Sequence, residues 1–475
     1  MTGRAPVPTA RALVAVAAAA WAAGFAALSV LRYDGFVTGR FDLGNMVQAV
    51  WATAHGDPLR VTDLNGDQIS RLGAHVDPIL AVFAPLWWIW PSPDVLLVVQ
   101  ALAIAAGAFP VYWLARRHLD STRAGLGFAL AYLLYPATGW LTLNEFHPVA
   151  LATPLLLFAF WFLDTDRMLP FAVFAAAASL CKEEIPFVVA GFGIWYALSR
   201  RRFAAGGAIA LVGVVWAAVA VTVVIPHFNH GQSSDFYSRY SEVGGSPGGL
   251  VKDAFAHPGR LVRAVFTSRD LHYVLQLLWP LAFLPLLAPL VLVAALPELA
   301  INLLSAVPSQ TSIHFHYTAG LIAPLIIAAI LGAKRVPARA FPVAAAVVVV
   351  ALVANYRLGP VPFWRHVPGG QRFEATAAEV TAHDRVADRA VALIPARAIV
   401  SASNSLGAHL SARRRVLSFP FVQDATWIAA DEPQPGYADR FAPVATAVQL
   451  AWLRRNPEWK LVFEDDGVLV FHRVT

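Results

Sequence analysis

Cysteine is all but missing: Cys181 is the only one in 475 residues. No disulfide within the chain is possible, and redox chemistry says nothing about the compartment. Charge is scarce too, with Asp, Glu, Lys and Arg making 14% of the chain where a soluble domain carries about a quarter. Only 4 of the 36 basic residues are lysine, so each lysine needs a reason. The chain has no Walker A loop, HExxH or CxxC. That counts against ATP-driven, metalloprotease and thioredoxin-like chemistry.

Apolar residues fill the space: 58% of the chain, at a mean hydropathy of +0.58. They come in long blocks, and a bilayer-crossing helix needs about 20 mostly apolar residues. A soluble globular enzyme, a disordered chain and a coiled coil are excluded; the pattern is that of an α-helical polytopic membrane protein. The formal charge of +6 does not indicate nucleic acid, because the arginines sit in short clusters between apolar segments, where they encode topology. The first run, Ala12–Leu31, is too long for a signal-peptide core and reads as a retained anchor.

Arg4 and Arg11 before that run place the N-terminus in the cytoplasm. An outer loop, 32–78, follows. Within it the apolar spacing from Asp42 to Trp51 predicts an interfacial amphipathic helix with Asp42 near its start, and Ile79–Trp90 reads as re-entrant or interfacial. Later runs alternate between arginine-rich turns (Arg116-Arg117-His118, Arg167, Arg200-Arg201-Arg202, Lys334-Arg335) and polar outer ends, including a second outer loop, 227–270. The proline-rich block 271–306 is expected to be a broken hairpin of two short helices. The tally is about eleven spans, in a domain of residues 1–356. Residues 357–475 have ordinary soluble composition and predict a small extracytoplasmic α/β domain. Its expected elements are a helix over Phe373–Ile394, strands at Ala398–Ser401, Arg415–Ser418 and Lys460–Phe463, and a hairpin through Asp466-Gly467 to Phe471.

Ionisable residues in a membrane domain mark a functional cavity unless they are paired away. Here they gather at the outer ends of spans: Asp42, His75 with Asp77, Glu145 with His147, Lys182-Glu183-Glu184, and His314 with His316 and Tyr317. Bland readings stand beside each. Asp42 can be a helix N-cap, His75-Val-Asp77-Pro78 and Glu145-Phe-His147-Pro148 can be turns, and a histidine pair is a weak metal signal. Convergence on one outward-facing cavity is the simplest account. A lysine or arginine there can hold a phosphate and a carboxylate can act as a general base. Carboxylates with histidines could also hold a divalent cation such as Mg or Mn.

Phe41-Asp42-Leu-Gly44 with Gln48-Ala-Val-Trp51, His75-Val-Asp77-Pro78, Glu145-Phe-His147-Pro148, Lys182-Glu183-Glu184, and Asn302-Leu-Leu-Ser305 with His316-Tyr317 resemble a bacterial family of predicted membrane proteins, the domain of unknown function numbered two thousand seventy-nine. The resemblance spans most of residues 30–360 in motif order. That family in turn is similar to the GT-C superfamily of polyprenyl-phosphate-sugar glycosyltransferases. The resemblance implies a GT-C-like bundle in a bacterial plasma membrane and a lipid-linked sugar phosphate donor. The acceptor would be a cell-envelope glycan, lipid or protein, and transfer would invert the anomeric centre. Asp42 matches the superfamily's first-loop catalytic acid, although the common paired-acid signature is not evident and Asp34 lies eight residues upstream. On this reading Lys182, with Arg40 or Arg71, holds the donor phosphate. His75, Asp77, Glu145, His147, Glu183, Glu184, His314, His316 and Tyr317 bind the sugar or a cation. The competing expectations are a transporter or lipid flippase with a charged outer cavity, and a degenerate scaffold that serves as an assembly partner.

Overall fold

The computed structural model describes residues 9–372, 378–434, 436, 439 and 446–474; Arg4 lies outside them. Among the described residues five helices are long and apolar enough to cross a bilayer: Ala10–Asp34, Asp94–Leu119, Phe203–Phe228, His316–Ala333 and Ala340–Leu358. Thr122–Leu134 and Pro136–Leu143 make a sixth if their 46° bend falls within one span. Pro136 causes the bend, because Tyr135 ahead of it is driven out of helical geometry (φ −61°, ψ 122°). Pro78–Ile89, Pro148–Asp164, Met168–Ser179 and Ile185–Arg200 are apolar but shorter, at 10–17 residues. The chain is therefore a multi-pass helical protein, while the expected eleven spans are not reached by length and composition.

The proline block departs furthest from expectation. Ser268–Leu278 is helical, but Trp279–Leu281, Leu284–Leu287 and Pro289–Leu292 are single turns, and regular helix resumes only at Leu296–Leu303. Prolines 280, 285, 289 and 297 each sit in the first turn of a segment. A proline ring fits there, where its missing N–H is not needed, and would clash deeper in a helix. Four prolines thus start four pieces, and no two-helix hairpin forms.

His316–Ala333 runs through the middle of the bundle, with 83% of its apolar window buried, whereas Ala10–Asp34 and Phe203–Phe228 lie at its edge. One end of the bundle gathers the arginines. Asp164, fully buried, takes Arg117 at 3.2 Å, His118 at 3.1 Å and Arg200 at 2.7 Å. His147 stands just before the other end of the same helical segment, Pro148–Asp164, about 25 Å away at 1.5 Å per residue.

At that far end the chain between the first and second apolar helices folds inward. Arg40–Gly44 is a single π-helical turn, closed by the Gly44 N–H on the Gly39 carbonyl at 3.0 Å. It runs into the helix Asn45–Ala54. That helix is not interfacial as expected: Met46, Val47, Gln48, Ala49 and Val50 are all buried, because protein covers its polar side too. Strands β1 (Arg60–Thr62) and β2 (Gln68–Ser70) pair as an antiparallel hairpin beyond it.

Beyond Leu358 lies a sheet of five strands, β3 (Val400–Ala402), β4 (Val416–Ser418), β5 (Trp427–Asp431), β6 (Trp459–Asp465) and β7 (Val468–Arg473), in the order β4-β3-β5-β7-β6. β3 runs parallel to β4 and β5; the remaining pairs are antiparallel. The expected β6–β7 hairpin is present, with Asp466 and Gly467 both at positive φ as a tight two-residue turn requires. β5 was not foreseen. The expected helix over 373–394 begins only at Ala382, where Thr381 and Asp384 cap each other's backbone reciprocally; residues 373–377 lie outside the described set.

Asp164→Ala would leave two arginines and a histidine facing one another around a buried site. We expect it to lower stability by about 3 kcal/mol, read as a drop in melting temperature in detergent, with Asp164→Asn less severe.

Candidate functional site

The π-helical turn has no cap of its own: Gly39 ahead of it has no side chain to offer. Its orphan amides are satisfied from elsewhere. Glu145 accepts from the Gly39 N–H at 3.1 and 3.2 Å and from the Leu43 N–H at 2.8 Å. Asn404 accepts from the Phe41 N–H at 3.0 Å. With those amides taken, Asp42 caps nothing, and its carboxylate turns into a cavity of about 120 Å³. π-Helical turns of this kind recur at functional sites.

The cavity walls come from six parts of the chain: Asp42 and Asn45; Arg71, His75 and Asp77; His147; Lys182; Phe236 and Arg239; His316 and Tyr317. Asp42 and Lys182 thus share one chamber. Asp42 Oδ1 lies 3.4 Å from His147 Nε2. The other ring nitrogen, Nδ1, is 2.7 Å from the Asn144 carbonyl, which can only accept, so Nδ1 carries a hydrogen. His147 stacks on His316 at 3.8 Å between ring centres, and Asn144 Oδ1 takes the His316 N–H at 2.9 Å. Gln100, fully buried, anchors this loop: its amide donates to the Glu145 carbonyl and accepts from the His147 N–H.

Most of the charges are already spent on one another. Arg71 grips Asp77 through two nitrogens, at 2.7 and 2.8 Å, and donates to Asn45. His75 bonds Glu183 at 2.8 Å while the Val76 N–H takes that residue's other oxygen. Lys182 pairs with Glu184 at 2.6 Å. Burial opposes a charge on Lys182, but Glu184, Glu183 and the buried Glu298 outweigh it and hold the ammonium above its ordinary range. Glu183 is likewise disfavoured by burial, yet His75 and Lys182 pull it down to about 2. Glu145 goes the other way: burial and the neighbouring Asp42 push it up to about 8 against its backbone amides. Arg239 has no carboxylate partner among the described residues; it touches the Tyr317 hydroxyl at 3.4 Å and faces the Phe236 and Tyr317 rings.

Several expected roles fail on this geometry. Arg40 is not at the cavity. Buried elsewhere, it donates to the Val416, Thr62 and Asp63 carbonyls and to the Ser418 hydroxyl. Arg71 lines the wall but is neutralised by Asp77. Glu145, Glu183 and Glu184 hold the turn, His75 and Lys182 respectively, and do not face the space. His314 sits against Trp140 and Ser312, away from it. Asp34 is exposed and does not line it. The donor set also does not fit a divalent cation: Asp77, Glu145, Glu183 and Glu184 are taken by amides or cations, and among the described residues no three His, Cys, Asp or Glu side chains gather as ligands would.

Sequence reading passed over Arg239, Gln100, Asn144, Asn404 and Glu298. Gln100 and Glu298 had a signal, since each is a lone polar side chain in an apolar block. Arg239 and Asn404 had none, lying in ordinary polar surroundings.

The family model described as Predicted membrane protein (DUF2079) matches residues 32–470. Comparison with curated proteins gives no match. Among solved structures the chain is similar to ArnT from Cupriavidus metallidurans in the apo state, at 13% identity and a TM-score of 0.48, over 96% of this chain and 98% of that one.

A raised Glu145 stabilises the fold below its unfolded value, near 4.5, and that advantage is lost as pH climbs to about 8. Thermal stability of the wild type should therefore fall across that window and level off above it. Glu145→Gln, which cannot ionise, should flatten the profile in melting curves taken at half-unit pH steps.

Proposed function

This chain belongs to the DUF2079 family of predicted membrane proteins, and we propose that it is a membrane glycosyltransferase of GT-C type. It would move a sugar from a polyprenyl phosphate donor to a cell-envelope acceptor on the outer face of a bacterial plasma membrane. The N-terminus would then be cytoplasmic and the C-terminal domain extracytoplasmic, as the arginine-rich end gathered at Asp164 suggests by the positive-inside rule. The observation that carries the reading is the shared chamber: a carboxylate, Asp42, and two cations, Lys182 and Arg239, line the same small cavity.

The chemistry would run as follows. Lys182 and Arg239, each 5.8 Å from the centre of the Tyr317 ring, receive the donor phosphate through charge-assisted hydrogen bonds. Lys182 keeps Glu184 as its resting partner, and Arg239 has no carboxylate to leave among the described residues, so Arg239 gives up less to bind. The role once expected of Arg40 passes to it. Asp42 takes the proton of the acceptor hydroxyl while that oxygen attacks the anomeric carbon. The bond from that carbon to the phosphate oxygen breaks, the configuration inverts, and polyprenyl phosphate leaves on the two cations. His147, against Asp42 and fixed by Asn144, orients the carboxylate and shares its proton. His75, His316 and Tyr317 shape the space for the sugar. A solute transporter or lipid flippase is the competing reading. Against it, the charged cavity lies at one end of the bundle, with the Asp164 cluster about 25 Å away at the other.

Asp42→Asn should abolish transfer from a panel of polyprenyl-phosphate-linked sugars and leave expression and melting temperature near wild type. Normal transfer by that variant would sink the assignment, and cargo movement with no glycosidic product would favour transport. Lys182→Ala and Arg239→Ala should each raise the donor KM about tenfold, as the loss of one charged hydrogen bond implies, in the same radiolabel assay.

A further inference from the structure

The C-terminal domain does more than sit beside the bundle. The helix Asn404–His409 lies directly on the Arg40–Gly44 turn, and three glycines make the approach possible. A Cβ on Gly39 would stand 2.3 Å from Asn404 Nδ2, one on Gly44 2.4 Å from Ser411 Oγ, and one on Gly407 2.8 Å from the Arg40 Cβ. At that separation the Asn404 side-chain oxygen reaches the Phe41 N–H, the amide immediately before Asp42. Glu145 holds the amides on either side from within the bundle, so the turn is gripped alternately by the two parts of the chain. Around it the same domain takes further hold. The His409 ring lies between Tyr33 and Phe36, at 4.0 and 3.9 Å, with Nε2 2.9 Å from the Tyr33 carbonyl. Phe36 itself is buried in that domain's core, at φ 53°, a conformation a bulky residue adopts only when its surroundings enforce it.

We propose that the C-terminal domain belongs to the machinery of the cavity, and that Asn404 is a positioning residue: by holding the Phe41 amide it fixes where the Asp42 carboxylate points. The positioning role rests on the reading of Asp42 as the base, whereas the grip itself does not. A misplacement of about 1 Å in a reacting group can lower a rate roughly hundredfold, and a turn with one anchor of two removed has that freedom.

The test uses the full-length protein in lipid nanodiscs, with hydrogen–deuterium exchange over residues 39–45 and steady-state transfer from undecaprenyl-phosphate-linked hexose as the donor probe. In Asn404→Ala the Phe41 amide should exchange roughly tenfold faster. The kcat should fall about tenfold to a hundredfold, with the donor KM within about twofold of wild type. Asn404→Asp, which keeps the accepting oxygen, should restore both. Gly407→Ala, pressing the helix off the turn from its far side, should reproduce the loss and serves if Asn404→Ala folds poorly. Unchanged exchange in both disruptive variants overturns the proposal, as does faster exchange with an unaltered kcat. If the wild type itself transfers nothing, the glycosyltransferase reading is what fails, and the exchange measurement alone then decides whether the domain holds the turn.

Discussion

A charge taken out of water into a helical bundle must find its opposite or be lost, because an uncompensated buried ion costs several kcal/mol. That requirement organises this molecule from one end to the other. At one end Asp164 collects Arg117, His118 and Arg200. At the other, Arg71 is closed by Asp77, His75 by Glu183 and Lys182 by Glu184. Once those pairs are drawn, the residues around the cavity sort themselves. Among the described residues Arg239 has only ring faces and a phenol hydroxyl, and Asp42, about one-third exposed, has only a 3.4 Å contact to His147. The chamber leaves one cation and one carboxylate lightly held in walls otherwise neutralised, and the proposed phosphate binding and proton abstraction rest on that arrangement.

The second constraint is on the backbone. A turn that begins at glycine and cannot cap itself must borrow partners, and here the lenders are Glu145 and Asn404, 106 residues downstream of Gly39 and 363 downstream of Phe41. Glu145 occupies the left-handed region, at φ 54°, which lets the loop between Asn144 and His147 reverse sharply enough to present its carboxylate to the turn while His147 faces the cavity. Gln100 makes that reversal affordable by pairing with both the Glu145 carbonyl and the His147 amide. Arg40 then ties the turn's first residue to β4 and to the β1–β2 hairpin. Bundle, hairpin and sheet meet around five residues.

Legibility in the sequence followed the range of the signal. Helices and strands whose cause lies within a few residues, such as the apolar runs and the Asp466-Gly467 hairpin, could be read directly, although the helix that Thr381 and Asp384 cap was expected to start earlier. So could the gathering of Arg117, His118 and Arg200, since each cluster ends an apolar segment. The proline block misled because spacing shows where a helix cannot continue and not where the chain goes next. Asn45–Ala54 misled for the opposite reason: its spacing is amphipathic, but a domain about 350 residues downstream covers its polar face and binds Gln48. Of the candidate site, the segments were visible as polar interruptions of apolar blocks. Their duties were not. Arg40, Glu145 and Glu183 have the chemistry to bind a ligand, and what denies it to them is a partner far away in the chain.

The sequence by itself determined that the chain is a multi-pass helical protein, that the arginine clusters closing its apolar runs share one end, that a sheet follows the last helix, and which motifs between the runs carry ionisable groups. All of these depend on composition and on neighbours within a turn or two. Only the tertiary structure decided which charges cancel and which remain, that Asp42 rather than Asp34 reaches the cavity, and that Arg239 stands where Arg40 was expected. Pairing energy depends on separations of a few ångströms between residues tens to hundreds of positions apart, and no local pattern along the chain encodes such a distance.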